Sequence, residues 1–256
     1  MRSQSKQSLI ITSLTSCNGC LFASLDLGQK LFDALDKFEL IDFHLIEDEE
    51  MRKDDRVDIT IIEGNVARKE EKVNLQNLRA KSKTLIALGA CAHLGSIQAI
   101  KNYGDKKEIS KYVYPDGKKI DNLKIRPLSS YVKVDFVIPG CPPEKKEILE
   151  VLKQLVSPQK PHLPNRPVCY ECQTSEYPCL LLSGKSCLGP IIRGGCGAVC
   201  LEGGLACTGC RGKTEEPNLK KMKRILTTKE YQRIMEIFGN INPAKSAISQ
   251  GPRHKK

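Results

Sequence analysis

The sequence predicts a doubly wound α/β domain followed by a small, loop-rich module that depends on bound metal. Short apolar runs alternate with helical patterns over the first 156 residues, as in a parallel sheet with crossover helices. A proline-rich stretch then leads into a segment dense in cysteine and glycine. With 256 residues and 40% apolar side chains, the chain is long enough for one such domain and a smaller module.

The first predicted strand spans residues 8–14 and ends at the tight turn TSCNGC, residues 15–20. The elements predicted after it are a crossover helix at 21–38, strands at 40–46 and 57–62, a helix at 71–81, a strand at 84–88, a helix at 94–103, a strand at 132–139 and a closing helix at 143–156. Residues 104–127 are polar and Lys-rich, and are predicted to form an irregular excursion with a small hairpin around Pro115-Asp116-Gly117. Right-handed crossovers between these strands give a flavodoxin-like sheet. The sequence has no dinucleotide or Walker loop, so it gives no support for nucleotide binding.

Four cysteines stand where three of the predicted strands end. Cys17 and Cys20 follow the first strand, Cys91 follows strand 84–88, and Cys141 follows strand 132–139. Because parallel strands end at one edge of a sheet, their sulfurs are expected to meet there. Four thiolates are what a 4Fe-4S cluster or a closed zinc site requires. The alternatives are a redox dithiol at Cys17 and Cys20, or cysteines that only fill the core, and the glycines beside Cys91 and Cys141 favour metal.

Cysteine content and charge limit the class of protein. Twelve cysteines, with no signal peptide, no twin arginine and no apolar run near eighteen residues, predict a cytoplasmic chain without a membrane span, whose cysteines bind metal rather than form disulfides. The formal charge of +11 counts every cysteine as neutral. Three dianionic clusters would reduce it to about +5, so the basic balance is weak evidence for nucleic acid.

The second module begins after the linker prolines Pro158, Pro161, Pro164 and Pro167. Its eight cysteines are Cys169, Cys172, Cys179, Cys187, Cys196, Cys200, Cys207 and Cys210. So short a segment cannot bury enough apolar surface to fold unaided, so metal is expected to hold it together. Zinc ribbons are one possibility, but irregular spacing and the absence of partner histidines favour two iron-sulfur clusters. Short loops favour a contiguous division, with the first four cysteines in one site and the last four in the other, although Cys187 or Cys196 crossing between sites stays open.

The ordered motifs SCNGC, GAC, PGCPP, CYEC, CLGP, GGCGAVC and CTGCRG resemble the small subunit of nickel-iron hydrogenases. The resemblance is to the cytosolic branch with the sulfhydrogenase delta and F420-nonreducing hydrogenase subunits, and covers residues 9–212. It implies a proximal 4Fe-4S cluster on Cys17, Cys20, Cys91 and Cys141, facing a large subunit that carries the nickel-iron centre. It also implies a distal cluster on Cys169, Cys172, Cys179 and Cys187 and a medial one on Cys196, Cys200, Cys207 and Cys210. Electrons would pass to a partner reductase or electron-transfer subunit, and no residue of this chain would be catalytic.

Three other residues gain an interpretation from the resemblance. Glu63 resembles an acidic family position near the proximal cluster, with a helix cap or a solvated residue as alternatives. Many relatives carry an acidic residue where Asn18 stands, which leaves its part in proton movement open. His93 is expected to be a hydrogen-bonding neighbour of Cys91 rather than a ligand.

The expected domains are 1–160 for the sheet with the proximal cluster, 161–212 for the eight-cysteine module and 213–256 for a helical tail. The tail pattern at Tyr231, Ile234, Met235, Ile237 and Phe238 predicts packing against the module or a partner. Two other functions fit the sequence less well. A subunit of a quinone-linked respiratory complex usually has adjacent proximal cysteines and lacks the module. A zinc-stabilised nucleic-acid-binding protein fits the basic pI but not the 5% aromatic content.

Overall fold

The centre of the structure is a parallel sheet. The computed structural model describes residues 6–46, 56–102, 104–114, 121–157 and 160–226. The strands in this part of the chain are β1 (Gln7–Ser13), β2 (Phe38–Phe43), β3 (Val57–Glu63), β4 (Ser82–Leu88) and β5 (Phe136–Ile138). They pair in the order β2-β1-β3-β4-β5, and every pairing is parallel. This is the flavodoxin-like order, so the predicted fold class is confirmed.

Helices flank the sheet and continue into the second module. The α-helices of the described residues are α1 (Gly19–Leu25), α2 (Gln29–Leu35), α3 (Lys69–Lys81), α4 (Gly89–Leu94), α5 (Lys106–Val113), α6 (Lys145–Leu155), α7 (Val168–Thr174), α8 (Val199–Glu202) and α9 (Leu219–Ile225). Short 3-10 helices lie at Ser96–Asn102 and Leu128–Ser130. No helix in the described ranges is both long enough and apolar enough to cross a membrane.

Both faces of the sheet are buried, because successive side chains of a strand point to opposite sides. Ile61 and Leu88 belong to the apolar cluster that includes residues of α1, α2 and α6. Their neighbours Ile62 and Ala87 belong to the cluster on the other face, where Leu75 of α3 packs. Continuous apolar strands of this kind explain why β3 and β4 are visible in the sequence as buried runs.

Several predicted element boundaries are wrong. The single crossover helix expected at 21–38 is two helices, because Gly28 adopts a φ of +55° between α1 and α2. The helix expected at 94–103 is α4 followed by a 3-10 helix, and the strand expected at 132–139 is only three residues long. Helix α5 lies in the segment expected to be irregular, where the Asp105 side chain accepts hydrogen bonds from the N–H groups of Lys107 and Glu108. The hairpin expected around 115–117 lies outside the described residues.

The second module has its own apolar core, and cysteines supply part of it. Cys172, Cys187 and Cys207 are buried there among aliphatic side chains of residues 168–226. Met222 and Leu226, on and just after α9, pack into the same core, so the described start of the expected tail joins the module. The helical pattern at 231–238 lies outside the described residues. The module has few regular hydrogen-bonded elements, which agrees with the expectation that bound metal contributes to its stability.

A small polar network joins three strands at the opposite edge of the sheet from the cysteines. The Asp58 carboxylate accepts hydrogen bonds from the N–H of Ser8 at 2.9 Å and from its hydroxyl at 3.1 Å, and it pairs with the Lys83 ammonium. The hydrogen bond from Lys83, with those from Ser8, holds the pKa of Asp58 below its usual value. The ionised carboxylate therefore stabilises the folded state.

We expect Asp58→Asn to lower the free energy of unfolding at pH 7, because charge-assisted hydrogen bonds are lost. The loss should be only about 1–2 kcal/mol, because Lys83 is largely exposed and its ion pair is screened by solvent. A lowered folded-state pKa contributes stability above the unfolded value of about 3.9, and this is lost as the pH falls through the folded pKa. The difference in urea midpoint between wild type and variant should therefore shrink below about pH 4. Asp33→Asn, at an exposed position, is the control, and it should change neither the free energy of unfolding nor the pH dependence of the urea midpoint. A difference that stayed constant with pH would contradict this account.

Candidate metal centres

The structure brings together the four cysteines at the carboxyl edge of the sheet, here called the rim group: Cys17, Cys20, Cys91 and Cys141. Cys20 is buried, whereas Cys17 and Cys141 are exposed. Burial raises the pKa of Cys91 to about 12, and the charges of Cys141 and Cys17 act in the same direction. Burial also raises the pKa of the Cys20 thiol, together with Glu63 and the other three rim cysteines. The four sulfurs are thus close enough to repel one another as thiolates.

Glycines make the space in which the rim sulfurs lie. A Cβ added to Gly89, which has a φ of +83°, would lie 2.3 Å from Cys20 Sγ. A Cβ added to Gly19 would lie 3.2 Å from Cys17 Sγ. A side chain at Gly89 would therefore displace the Cys20 sulfur, so this glycine is needed for the close approach of backbone and thiol.

Asn18 shapes the turn that carries the first two cysteines. Its φ of 59° is left-handed, a conformation that asparagine tolerates better than most residues, and α1 begins directly after it. Its side-chain oxygen lies 2.8 Å from the Ser16 hydroxyl, which donates to it. The structure thus gives Asn18 a conformational role beside Cys17 and Cys20.

Glu63 lies buried at the end of β3, with 1% of its surface exposed. Its Oε2 accepts a hydrogen bond from the N–H of Leu21 at 2.7 Å, in the first turn of α1. This contact matches the helix-capping alternative, and the charge of Glu63 also raises the pKa of Cys20 and Cys91. A buried carboxylate beside four thiols makes the binding of a positively charged group favourable at this edge.

The first four cysteines of the module form a second set, here called the first module group: Cys169, Cys172, Cys179 and Cys187. Burial raises the pKa of Cys169 to about 11, and Cys187, Cys172 and Cys179 add to the effect. The N–H of Gly189 donates to Cys187 Sγ at 3.4 Å, a contact that stabilises a thiolate. A Cβ on Gly189 would lie 3.1 Å from Cys169 Sγ and 3.5 Å from Cys187 Sγ, so this glycine also leaves room for sulfur.

The last four cysteines form the second module group: Cys196, Cys200, Cys207 and Cys210. Burial raises the pKa of Cys210 to about 12, with further contributions from Cys196, Cys141 and Cys200. Burial likewise raises the pKa of Cys207, on which Cys187 also acts. One member is therefore coupled to Cys141 of the rim group and another to Cys187 of the first module group. The second module group lies between the other two.

His93 faces the module rather than the rim sulfurs. A Cβ on Gly212 would lie 2.5 Å from His93 Nε2, so the ring packs against the Gly212 backbone. Burial, with the nearby charges of Arg193 and Lys213, lowers the pKa of His93 to about 3. The imidazole is therefore neutral at physiological pH and lies where the sheet domain meets the module.

Sequence reasoning missed a buried ion pair at the same boundary. Arg211, with 2% of its surface exposed, donates from Nη2 to both carboxylate oxygens of Glu147, at 2.7 and 2.8 Å. It also donates from Nη1 to the carbonyl of Pro139 at 3.0 Å and from Nε to the carbonyl of Gly194 at 2.8 Å. An arginine directly after the last module cysteine was the available signal, but its partner is 64 positions away in the sequence.

The donor sets fit iron-sulfur clusters. Each group offers four thiols. Glycines leave room beside sulfur in the rim group and the first module group, and backbone N–H groups hydrogen-bond to sulfur at Cys187, Cys196 and Cys207. Burial, with the charges of neighbouring cysteines, raises the pKa of at least one thiol in each group, as at Cys91, Cys169 and Cys207. A positively charged core would favour loss of these protons and offset the repulsion between the thiolates. Among the residues that the structure describes, no three His, Cys, Asp or Glu side chains converge as the ligands of one metal ion do. In a 4Fe-4S cluster each thiolate binds a different iron atom.

A family model described as NADH ubiquinone oxidoreductase, 20 Kd subunit, matches residues 17–155. The chain belongs to this family. The match contains the whole rim group and ends before the eight cysteines of the module. The family match thus covers the sheet domain, and relatives of the module are found by comparing the whole chain.

Relatives that match most of the chain, including the module, are hydrogenase subunits. The chain is 38% identical to the sulfhydrogenase 2 subunit delta of Pyrococcus furiosus over 234 residues, which cover 89% of this chain and 97% of the relative. It is 32% identical to a subunit of the vhu F420-non-reducing hydrogenase of Methanocaldococcus jannaschii, over 79% of this chain and 81% of the relative. A solved NAD+-reducing [NiFe]-hydrogenase in the H2-reduced state contains a chain of the same fold, with a TM-score of 0.56 and 25% identity, covering 62% of this chain and 96% of the other. Within the family, this chain is therefore of the hydrogenase small-subunit type.

We expect Gly89→Ala to destabilise the protein more than Gly184→Ala. Both glycines have a left-handed φ, so each alanine adds backbone strain of about 1–2 kcal/mol. Only the methyl group at position 89 also meets a sulfur, and such overpacking costs about a further 1–3 kcal/mol, since the position 184 methyl would enter open space. The measurement is the thermal unfolding midpoint of each full-length variant. Equal midpoints for the two variants would contradict the close approach of Gly89 and Cys20.

Proposed function

We propose that this chain is the electron-transfer subunit of a nickel-iron hydrogenase, and that it relays electrons through three 4Fe-4S clusters between the nickel-iron centre of a separate large subunit and a partner reductase or electron-transfer subunit. The observation that carries the proposal is the serial arrangement of three four-thiol groups. Arg211, directly after Cys210, donates a hydrogen bond to the carbonyl of Pro139, two residues before Cys141. The N–H of Leu188, directly after Cys187, donates to the carbonyl of Cys207 at 2.9 Å. A chain of neighbouring sites is what stepwise electron transfer requires.

The rim group would hold the proximal cluster at the edge that faces the large subunit. Cys17 and Cys141 are exposed there, as are the apolar side chains of Phe22 and Ile97, on α1 and on the 3-10 helix after Cys91. Exposed apolar residues around a site that is open on one side are typical of a surface that a partner covers. The relatives are named as subunits of hydrogenases, which agrees with such a partner.

The second module group would hold the medial cluster and the first module group the distal one. The order of the groups in space supports this division, since the second module group contacts both others electrostatically. Beside the first module group, Cys179, Tyr170 and Leu182 are exposed, which suits an exit to a partner protein. The same arrangement supports contiguous ligand sets for the two module clusters.

The residues of this chain would bind, position and shield the clusters rather than react with hydrogen. When bound, the clusters supply one-electron redox chemistry. The cysteines hold them, the aliphatic core around Cys187 and Cys207 excludes water, and N–H donors such as that of Gly189 stabilise sulfur charge. Twelve cysteines without disulfides suit the reducing cytoplasm, where we place the complex. A subunit of a quinone-linked complex is less well supported, because the family model ends before the eight-cysteine module.

Anaerobic purification of the chain with its large subunit should yield a brown protein with about twelve iron and twelve sulfide per small subunit, since each 4Fe-4S cluster holds four of each. Metal analysis by mass spectrometry and a colorimetric sulfide assay measure this. Electron paramagnetic resonance of the reduced protein should show the clusters as reducible signals. A colourless protein with about three zinc ions per chain would overturn the proposal.

Serine substitutions should separate the three sites. Cys17→Ser, Cys207→Ser and Cys172→Ser each remove one ligand from a different group, so each should perturb a different paramagnetic signal and leave most of the iron bound. All three should reduce hydrogen-dependent dye reduction by the assembled complex. The three variants serve as controls for one another, since the chemical change is identical. If Cys172→Ser and Cys207→Ser lose the same signal, the contiguous assignment is wrong.

A further inference from the structure

The buried arginine at the boundary between the sheet domain and the module has no part in the proposal so far. The side chain of Arg211 is 1% exposed, and its guanidinium makes hydrogen bonds on three sides. Such burial of a charge is costly unless it is paired, and Glu147 provides the pairing with two hydrogen bonds. Gly195 leaves the space for it, since a Cβ there would lie 2.1 Å from Glu147 Oε1 and 2.4 Å from Arg211 Nη2.

This guanidinium lies between two of the cysteine groups. Arg211 directly follows Cys210 and donates to the carbonyls of Arg193 and Gly194, which precede Cys196. It donates as well to the carbonyl of Pro139, two residues before Cys141 of the rim group. The positive end of the pair is therefore tied to the backbone that carries the second module group and to the loop that carries Cys141.

The positive charge acts on the second module group more directly than the negative charge does. Arg211 directly follows Cys210, and its guanidinium lies against Gly194 and Gly195, the two residues before Cys196. Glu147, on α6, lies as close to Gly195 as the guanidinium does and therefore opposes it beside Cys196, as does Glu171, which accepts a hydrogen bond from the N–H of Gly195. Beside Cys210, the adjacent charge is that of Arg211. Because reduction adds negative charge to a thiolate-bound cluster, a fixed positive charge beside it favours the reduced state.

We propose that the Arg211–Glu147 pair sets the reduction potential of the cluster held by the second module group, with Arg211 raising the potential and Glu147 limiting the rise. This rests on the proposed function, because it requires a cluster on Cys196, Cys200, Cys207 and Cys210. The pair is a tuning element: neither residue binds the cluster. A raised potential at the middle of the series favours electron transfer from the rim group to the second module group and opposes transfer from there to the first module group. The same pair joins the two domains, so the potential and the docking of the module are set by one contact.

The test is a redox titration of the full complex, followed by electron paramagnetic resonance, on variants with opposite charge changes. Arg211→Met removes the positive charge and should shift the midpoint potential of this cluster to a more negative value. Glu147→Gln keeps the shape of the pair but unmasks Arg211, so the potential should shift to a more positive value. Arg211→Lys keeps the charge and should stay near wild type. Glu150→Gln, the same substitution at an exposed position of α6, should cause no shift.

Opposite shifts in Arg211→Met and Glu147→Gln, with iron content retained, are the expected result. Shifts of the same sign, or none, would overturn the proposal, because a merely structural role predicts no dependence on the sign of the charge. If Arg211→Met loses iron, the test rests on Glu147→Gln and Arg211→Lys. The tuning role is wrong if Glu147→Gln shows no positive shift of the potential, or if Glu147→Gln and Arg211→Lys both lose iron as well. Failure of the proposed function is distinguishable, since the wild-type complex would then lack a signal that Cys207→Ser perturbs.

Discussion

The cost of ionising neighbouring buried thiols is the constraint on which this structure depends. Burial and the charge of other members of the same group raise the pKa of Cys91 in the rim group, Cys169 in the first module group and Cys210 in the second. Buried like charges of this kind are unstable without a cation between them. In the module the cysteines also form part of the apolar core, so a group bound to their sulfurs would stabilise the fold directly. The sheet domain differs, because its two apolar faces stabilise it independently of the rim.

The junction between sheet and module shows how the second constraint, correct spacing between groups, is met. A flexible docking would leave the distance between Cys141 and Cys210 undefined. Instead, Arg211 hydrogen-bonds to the carbonyl of Pro139, and Glu147 reaches it from α6 through the space left by Gly195. His93 packs on Gly212 at the same boundary. A buried ion pair is weak evidence for stability, but its hydrogen bonds to Pro139, Arg193 and Gly194 tie the module to the loop that carries Cys141.

Local patterns in the sequence were sufficient for the fold and for the convergence of the rim cysteines. Apolar runs with turn residues after them predicted β1, β3 and β4, and the parallel topology then placed Cys17, Cys91 and Cys141 at one edge. Helix breaks were harder, since Gly28 interrupts an otherwise continuous helical pattern and Asp105 caps a helix in a polar segment. The pairing of Arg211 with Glu147 could not be predicted, because an ion pair between distant positions leaves no periodic pattern in the sequence. Charged residues are also usually exposed, so their burial was not expected.

The position of the second module group explains why the buried charge lies where it does. Each group has at least one exposed member, which is Cys17 in the rim group, Cys179 in the first module group and Cys200 in the second. The other three sulfurs of the second module group are those of buried Cys207 and half-buried Cys196 and Cys210, so the charge beside them comes from side chains of this chain. A fixed guanidinium is the side chain best suited to that task, because it stays protonated when buried and its five donors hold it in one orientation. The Glu147 carboxylate offsets the cost of burying the guanidinium, and the boundary between the domains brings α6 and the end of the module together so that the two can pair.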